Sequence, residues 1–425
     1  MSQSCRVGFV PLTALFIGLG AAAATAQTLG TGATATGADS VALGDNSLAS
    51  GDGSTAAGAL SEALGLEGSA FGVESLAFGD FSTAIGGVSI ASGNNSTALG
   101  HESEASGDGA TALGGSSIAS GLLSTATGEF STASGLQSTA TGQFSTASGD
   151  FSTATGQASL ASGIGSTATG QFSTASGLSS TATGTGSEAS GDFSTAMGTG
   201  SVASGQASLA SGVDSVASGL QSTAAGEFST ASGDFSTATG QASLASGDGG
   251  TATGQLSTAS GEDSTALGQG AQATHDNAMA LGAGAQTTAA NQVVIGGATN
   301  TYTTPGITSA ASRAAQTGAV ELVTSDAQGN LATDGGATDA AIRGLNDNVR
   351  ENRDGVAMAL AMQSPSLAGA ENFALSGGIG TYAGGSAFAA TGAVRISPNA
   401  QFDGGIGVGF RENRVGGRIG VTFKW

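Results

Sequence analysis

Small residues and polar residues alternate along most of the chain with a period of seven. Gly stands at position 30 and at every seventh position through 268. From Gly37 onward, Ala stands two residues before each of these glycines, and Ser usually stands four before. Five alternating residues followed by Gly and two more positions indicate a short strand and a tight turn. A coiled coil shares the period of seven, but it needs large apolar core residues and avoids Gly, so the pattern excludes it here.

Two kinds of unit alternate, which makes the full repeat fourteen residues long. The residue before Gly is Ser in every second unit of the middle of the series and is mostly Leu, Ile, Thr, Met or Ala in the others. Two different strands per fourteen residues predict one turn of a parallel β-solenoid, with about seventeen coils stacked about 4.8 Å apart. We expect Gly37, Gly44 and Gly51 to be structural residues of the turns. One twenty-residue segment, 144–163, returns unchanged at 228–247, six coils later.

The two faces of each strand have different characters. Period-two geometry puts Ser, Ala and Gly on one face, and an interior between two such strands is too thin for large side chains, so this face lines it. The more apolar intervening residues of alternate strands favour contact with another subunit along one side of the rod. Phe rings after the turns are expected to pack against a neighbouring coil or chain, with partner binding as the alternative. They are Phe81, Phe130, Phe144, Phe151, Phe172, Phe193, Phe228 and Phe235.

The charge of the chain excludes some partners. The formal net charge is −21, and between Gln27 and Ser312 there are 21 Asp or Glu residues and no Lys or Arg. Such a surface repels phosphate, which excludes nucleic-acid binding through a basic patch. His101 and His275 stand alone, without Cys or carboxylates at metal-ligand spacing, and no nucleophile, base and orienting group occur together. We therefore expect no metal, no cofactor and no enzymatic activity.

The N-terminus has the pattern of a secretory signal. Arg6 precedes the apolar run VGFVPLTALFIGLG, and Ala24-Thr25-Ala26 forms an A-x-A cleavage site. The predicted signal peptide is residues 1–26. Cys5 is the one cysteine of the chain and leaves with it, so the mature protein has no disulfide and must be held together by repetition, oligomerisation or a membrane scaffold.

The composition changes near residue 340, where a helix is predicted. A polar Asn in a core position of a coiled coil fixes register and oligomeric state, and Asn352 has this place. Pro365 and Gly369 are expected to stop the helix. The seam of residues three and four apart comprises Ile342, Leu345, Val349, Asn352, Val356, Ala359 and Gln363.

Four strands of alternating character are predicted after the helix. Strands of about ten residues with one apolar face match a transmembrane β-barrel. Four strands cannot close a barrel and open edges are not tolerated in lipid, but three chains would supply twelve strands. A soluble β-meander is the alternative. The predicted strands are Phe373–Gly384, Gly385–Ser397, Ala400–Arg411 and Arg414–Trp425.

Together, these features resemble the YadA-type trimeric autotransporter adhesins. The resemblance rests on the S-x-A-x-G repeats, a neck at NQVVIGG, a short stalk, and a helix with four strands that ends at Trp425. It implies a mainly β homotrimer with left-handed parallel β-roll heads, a short coiled-coil stalk and a twelve-stranded outer-membrane barrel threaded by three helices. It also implies that the terminal aromatic residue, Trp425, helps the barrel-assembly machinery to recognise the chain, and Phe423 is expected to be a structural residue of the last strand. Asn352 resembles stalk asparagines that hold anions.

The resemblance predicts a surface-exposed adhesin in the outer membrane that binds host matrix, surfaces or other cells through many weak sites. A surface coat or spacer without a specific ligand is the first alternative, and an ice-binding solenoid with regular Thr ranks is the second. The predicted segments are a signal peptide (1–26), head repeats (27–290), neck and connector (291–339), coiled-coil stalk and lumen helix (340–368) and four-stranded anchor (369–425).

Overall fold

The chain forms two structural units, Met1–Thr301 and Tyr302–Trp425. The computed structural model describes residues 25–318, 320–411 and 413–425. The predicted signal peptide, residues 1–26, therefore lies outside the described residues apart from its last two, and so does Cys5.

Each repeat unit of the first unit forms one short strand and one tight turn, which confirms the predicted solenoid. Every strand pairs in parallel with the strand fourteen residues later, so that Thr97 lies beside Thr111 and Ala98 beside Ala112. Alternate strands build two sheets, and the solenoid has about 19 turns. This exceeds the seventeen expected, because Met279–Leu281 and Val293–Ile295 add strands after the regular glycine series has ended.

The first sheet has 20 strands. They are Gln27–Leu29, Val41–Leu43, Thr55–Ala57, Ser69–Phe71, Thr83–Ile85, Thr97–Leu99, Thr111–Leu113, Thr125–Thr127, Thr139–Thr141, Thr153–Thr155, Thr167–Thr169, Thr181–Thr183, Thr195–Met197, Leu209–Ser211, Thr223–Ala225, Thr237–Thr239, Thr251–Thr253, Thr265–Leu267, Met279–Leu281 and Val293–Ile295.

The second sheet consists of two-residue strands. They are Thr34–Ala35, Leu48–Ala49, Glu62–Ala63, Leu76–Ala77, Ile90–Ala91, Glu104–Ala105, Ile118–Ala119, Thr132–Ala133, Thr146–Ala147, Leu160–Ala161, Thr174–Ala175, Glu188–Ala189, Val202–Ala203, Val216–Ala217, Thr230–Ala231, Leu244–Ala245, Thr258–Ala259 and Gln272–Ala273.

The interior of the solenoid is a continuous column of Ala and Ser. The repeat alanines from Ala42 to Ala273 are fully buried, and the serines beside them are buried as well. Serines that precede second-sheet strands donate their hydroxyl to a glycine carbonyl, as Ser145 does to Gly142 at 2.7 Å. Most serines that precede first-sheet strands, such as Ser138, have no hydrogen-bond partner among the described residues. Within the regular glycine series, Gly68, Ala110 and Gly250 replace Ser at positions of this second class, where the hydroxyl contributes no hydrogen bond.

Both turns of a coil require glycine because a Cβ would overlap the backbone of the next coil, and the first turn has a second reason in its positive φ. In the first turn, which follows a first-sheet strand, Gly44 has a φ of +138°, which disfavours any residue with a side chain. In the second turn, which follows a second-sheet strand, a Cβ on Gly51 would overlap the carbonyl oxygen of Gly65, and one on Gly37 would overlap that of Gly51. Successive coils are therefore in direct backbone contact.

The second unit begins with short elements and continues into one long helix. It contains a 3₁₀ helix, Pro305–Thr308, a short helix, Ala310–Ala315, a hairpin of strands Val323–Ser325 and Leu331–Thr333, and the long helix Ala337–Ala361. The long helix ends before Pro365, since a proline disfavours the helical backbone conformation of the residue that precedes it. Among the described residues, no helix is both long enough and apolar enough to span a membrane.

Asp334 ties the hairpin to the start of the long helix. Its carboxylate accepts hydrogen bonds from the backbone N–H groups of Leu322, Gly336 and Thr338. Hydrogen bonds to Thr338, through its side chain and then its backbone, lower the pKa of Asp334 to about 2. In the hairpin, the Asn330 side chain likewise lowers the pKa of Asp326. Both carboxylates are therefore ionised at neutral pH.

The four C-terminal strands form an antiparallel meander, as predicted. The first, third and fourth are one or two residues shorter at their ends than the sequence suggested, because the residues there belong to the connecting turns or follow the last strand. This C-terminal sheet consists of Phe373–Tyr382, Gly385–Ser397, Ala400–Gly409 and Val415–Phe423, with each strand paired to the next.

We predict that Gly163→Ala disrupts the solenoid locally, whereas Gly165→Ala in the same turn does not. A Cβ at Gly163 would overlap the backbone of Gly177, while at Gly165 the nearest atom is the Ser179 hydroxyl at 3.5 Å. The first change is expected to cost about 3 kcal/mol or more and the second about 1 kcal/mol. Amide hydrogen exchange of the full-length protein measures the difference, and equal protection around position 163 in both variants would contradict the role of this close contact.

Candidate functional site

The edges of the solenoid carry Phe residues whose backbone is in the left-handed conformation. The residue two positions after each turn glycine has a φ near +55°, and where it is not Gly it is often Phe, with φ of 57° to 59°. All eight of these Phe side chains are about half exposed, from 46% at Phe130 to 59% at Phe172. Phe130 and Phe144 stack with ring centroids 5.1 Å apart. Apart from that pair, no ring stacking occurs among the described residues.

Polar side chains connect the turns of successive coils. In the second turn, the residue after Gly is often Asp, and its carboxylate accepts the N–H of the residue fourteen positions earlier, as Asp150 does from Leu136 at 2.9 Å. In the first turn, side-chain amides form a ladder in which Gln157 donates to Gln143 and Gln171 donates to Gln157. The edges of the rod are therefore acidic or amide-rich.

The outer face of the first sheet changes character along the solenoid. Large apolar side chains, among them Leu43, Phe71 and Leu113, stand near its start and are about 40% exposed. The five strands from Thr125–Thr127 to Thr181–Thr183 instead read Thr-Ala-Thr and stack in register. The fully regular part of this face is thus a flat array of threonines.

The predicted seam of the long helix faces away from its own sheet. Ile342, Leu345 and Asn352 are exposed, while the helix packs on the C-terminal sheet through Ala357 and Met358. This leaves the seam available for other copies of the helix. A residue that the sequence did not single out, Asp354, is fully buried against Gly385 and Gly409, and its carboxylate has no partner among the described residues.

The segment after the long helix is extended and is held by side chains of the C-terminal sheet. Five residues donate hydrogen bonds to its backbone carbonyls: Thr391 to Gln363 at 2.7 Å, Lys424 to Leu367 at 2.7 Å, Arg418 to Met362 at 3.1 Å, Gln401 to Pro365 at 3.2 Å, and Arg395 to both Gly369 and Glu371 at 3.0 Å. Buried Asp403 accepts from Ser364 and Arg418. Backbone carbonyls that lack helical partners are satisfied in this way.

The opposite face of the C-terminal sheet is apolar and exposed. Ile379, Ile406 and Ile419 are between 64% and 81% exposed, while polar Gln401 and Asp403 point to the helix side. The first and fourth strands each have one edge without a strand partner in the described chain. Phe423 lies on the apolar face at 66% exposure, and Trp425 follows the last strand and is fully exposed.

The structure places the two histidines apart. His101 is exposed beside Glu102, and His275 is half-buried, with Nδ1 3.3 Å from the Thr287 hydroxyl. His275 occupies a position that is glycine in the preceding coils, which is where the regular series breaks. In the described ranges, no three His, Cys, Asp or Glu side chains are arranged to hold a metal.

Family models match most of the chain. The YadA head domain repeat matches in overlapping stretches, and the YadA-like membrane anchor domain matches residues 365–425. The head matches are residues 29–47, 35–61, 63–89, 91–117, 114–136, 133–159, 161–187, 175–201, 189–215, 210–236, 217–243, 231–257 and 259–285.

Comparison with whole proteins adds little. No curated protein matches the chain significantly. One solved structure that it resembles is the collagen-binding domain of the Yersinia adhesin YadA, at 19% identity over 50% of this chain and 86% of that one. The TM-score is 0.21, a superposition too loose to support a structural argument.

We predict that Gly380→Ala prevents the long helix from seating on the C-terminal sheet. A Cβ there would overlap the backbone of Ala357, whereas one at Gly377 in the same strand lies 3.7 Å from its nearest neighbours. The Gly380 variant is expected to lose most of its surface display, and the Gly377→Ala control to keep it. Surface labelling of intact cells measures this, and equal display of both variants would show that the helix does not need this close approach.

Proposed function

Since the chain belongs to the family of YadA-like trimeric autotransporter adhesins, we propose that its head mediates multivalent attachment to host matrix, abiotic surfaces or other cells. We propose also that the C-terminal barrel exports the head and then tethers it. The family assignment makes the protein a surface-exposed outer-membrane trimer. Adhesin families are generally non-enzymatic, and an enzymatic role is not part of the proposal.

One observation carries this proposal: a single chain combines a head that repeats the same edge and face about 19 times with a sheet that cannot close alone. The repeated head offers many copies of any weak site, and three chains multiply them further, so avidity can exceed the affinity of one site by orders of magnitude. The free edges and apolar outer face of the C-terminal sheet fit a twelve-stranded barrel, because open strand edges are unstable in lipid.

The first sheet is proposed as the contact between head subunits. Its outer face carries the larger apolar residues, such as Phe71 and Leu113, which are about 40% exposed in one chain. The second sheet and both turns then remain on the outside of the trimer. In the stalk, Asn352 is proposed to lie in the core between helices, where it can hold an anion. Trp425 is proposed as the signal for barrel assembly, and Phe423 as a structural residue of the last strand.

The segment boundaries are proposed as the sequence predicts them. Head repeats would span 27–290, neck and connector 291–339, stalk and lumen helix 340–368, and anchor 369–425, after a signal peptide of residues 1–26. Outer-membrane lipid and the barrel-assembly machinery are the proposed partners of the anchor.

Ice binding has one specific observation in its favour, the in-register Thr-Ala-Thr strands from Thr125–Thr127 to Thr181–Thr183. Such threonines would serve ice only if the first sheet were free in the trimer. Thermal hysteresis of the purified protein tests this second candidate function. Measurable hysteresis would mean that the first sheet binds ice and is not the contact between subunits.

We predict that display of the full-length protein on a non-adherent cell produces saturable attachment to at least one of collagen, fibronectin, plastic or sister cells. Deletion of residues 369–425 should abolish both display and attachment, because the barrel strands are lost. Display without attachment to any surface would instead favour a coat or spacer. Trimeric display without these strands would contradict the anchor.

A further inference from the structure

The second turn of the solenoid carries the same dipeptide, Asp-Phe, in four coils. We call Asp80-Phe81, Asp150-Phe151, Asp192-Phe193 and Asp234-Phe235 the Asp-Phe turns. The last three are spaced by 42 residues, which is three coils or about 14 Å along the solenoid. Each follows a coil with Leu at the equivalent of the Asp position: Leu66, Leu136, Leu178 and Leu220.

Each Asp-Phe turn satisfies both backbone groups of the preceding Leu. Asp150 accepts the Leu136 N–H at 2.9 Å, and the Phe151 N–H donates to the Leu136 carbonyl at 2.7 Å. The other three turns repeat both bonds, at 2.8 to 2.9 Å and at 2.7 Å. Both backbone groups of the Leu are thus paired, and the second carboxylate oxygen of the Asp and the Phe ring remain for the surface.

The fold does not require Phe in these turns. The φ of Phe151 is +59°, a left-handed conformation that costs free energy for a bulky residue and little for Gly or Asn. Asn95, Gly109 and Gly165 occupy the same position in other second turns. The four rings are 48% to 57% exposed, so about half of each side chain is left uncovered within the chain. Rings kept at a conformational cost and left exposed point to contact with another molecule.

The negative charge around the rings indicates which side chains of a partner would bind there. The head has no Lys or Arg between Gln27 and Ser312, and each ring has a carboxylate beside it in the sequence. A ring face next to a carboxylate complements a guanidinium or ammonium group, which gains a cation–π contact and an ion pair together. Resting on the proposed adhesive function, we propose that the Asp-Phe turns bind Arg and Lys side chains of a basic protein surface.

The first turns of the same head provide an internal comparison. Phe144 and Phe172 follow Gln, and Phe130 and Phe228 follow Glu. The two Glu carboxylates accept side-chain amides of the next coil, Glu129 from Gln143 and Glu227 from Gln241, each at 3.0 Å. These rings have similar exposure and backbone conformation, but Phe144 and Phe172 have no carboxylate beside them, and Glu129 and Glu227 each hold a side-chain amide of the next coil through one oxygen.

The test uses full-length protein displayed on cells and a surface coated with poly-L-arginine, compared with an uncharged polymer. The main variant changes Phe81, Phe151, Phe193 and Phe235 to Asn, which leaves net charge unaltered and suits the left-handed position. Attachment to poly-L-arginine is expected to fall about tenfold or more, since several sites act together. Heat resistance of the trimer should be unchanged or raised.

Three further variants separate the sites from general charge. In the first, Phe130, Phe144, Phe172 and Phe228 become Asn, and attachment should stay within about twofold of the unmodified head. The second variant changes the Asp of all four Asp-Phe turns to Asn. Asn keeps the backbone cap, as Asn94 does natively at 3.0 Å. The matched third variant removes four charges elsewhere: Glu62→Gln, Glu104→Gln, Glu188→Gln and Asp214→Asn. Only the second variant should lose attachment beyond the effect of four charges.

Equal losses in the first-turn and second-turn Phe variants, or no loss in either, would overturn the inference. Loss of the trimer in the second-turn variant would also overturn it, because the rings would then be subunit contacts. Failure of the unmodified head on collagen, fibronectin, plastic and sister cells would defeat the adhesive function itself. Attachment to one of them, with no effect of Phe→Asn on poly-L-arginine, would defeat only the Asp-Phe site.

Discussion

Direct backbone contact between successive coils is the constraint on which the head depends. A Cβ at Gly51 would overlap the carbonyl of Gly65, and the same overlap recurs at Gly163 and Gly177. With coils this close and two sheets facing each other, the interior has room for Ala and Ser only, and these residues are fully buried in almost every coil. The small vocabulary of the sequence follows from this spacing, and large side chains are confined to the outer faces and turns.

The same constraint makes the turns the natural place for function. A substitution inside the coil propagates to its neighbours, whereas the last residue of a turn points outward and accepts Gly, Asn, Asp, Leu or Phe at one backbone conformation. The head can therefore vary its edge without altering its core. The C-terminal unit differs, because among the described residues two edges of its sheet have no strand partner and the buried Asp354 carboxylate has no hydrogen-bond partner.

Much of this architecture was predictable from the sequence. The strict spacing of Gly, Ala and Ser indicated the parallel coils, and alternation in 373–425 gave four strands whose ends differ by two residues at most. The helix end was less predictable, since Pro365 and Gly369 were visible in the sequence but the carbonyl partners Thr391, Arg418 and Lys424 come from distant strands. Asp354 and the caps at Asp80 and Asp150 were missed for a similar reason. Their burial and hydrogen bonds depend on residues fourteen positions away or on another strand of the sheet. The Phe residues were visible in the sequence through their fixed position two residues after Gly. The sequence did not show that this position is left-handed and costs free energy for Phe.

Deletion of whole coils tests the central claim, that the fourteen-residue coil is the unit of the head. Removing residues 150–233 takes out 84 residues, six coils, and joins Gly149 to Asp234 in a sequence identical to the native one. Electron cryomicroscopy of the displayed trimer should show a head shorter by roughly 29 Å with normal display. Removing 150–226 instead takes out 77 residues and joins a second-turn glycine to a first-turn sequence, which puts every later strand in the wrong sheet. This variant should lose its ordered head. Equal order and display of the two variants would contradict the account.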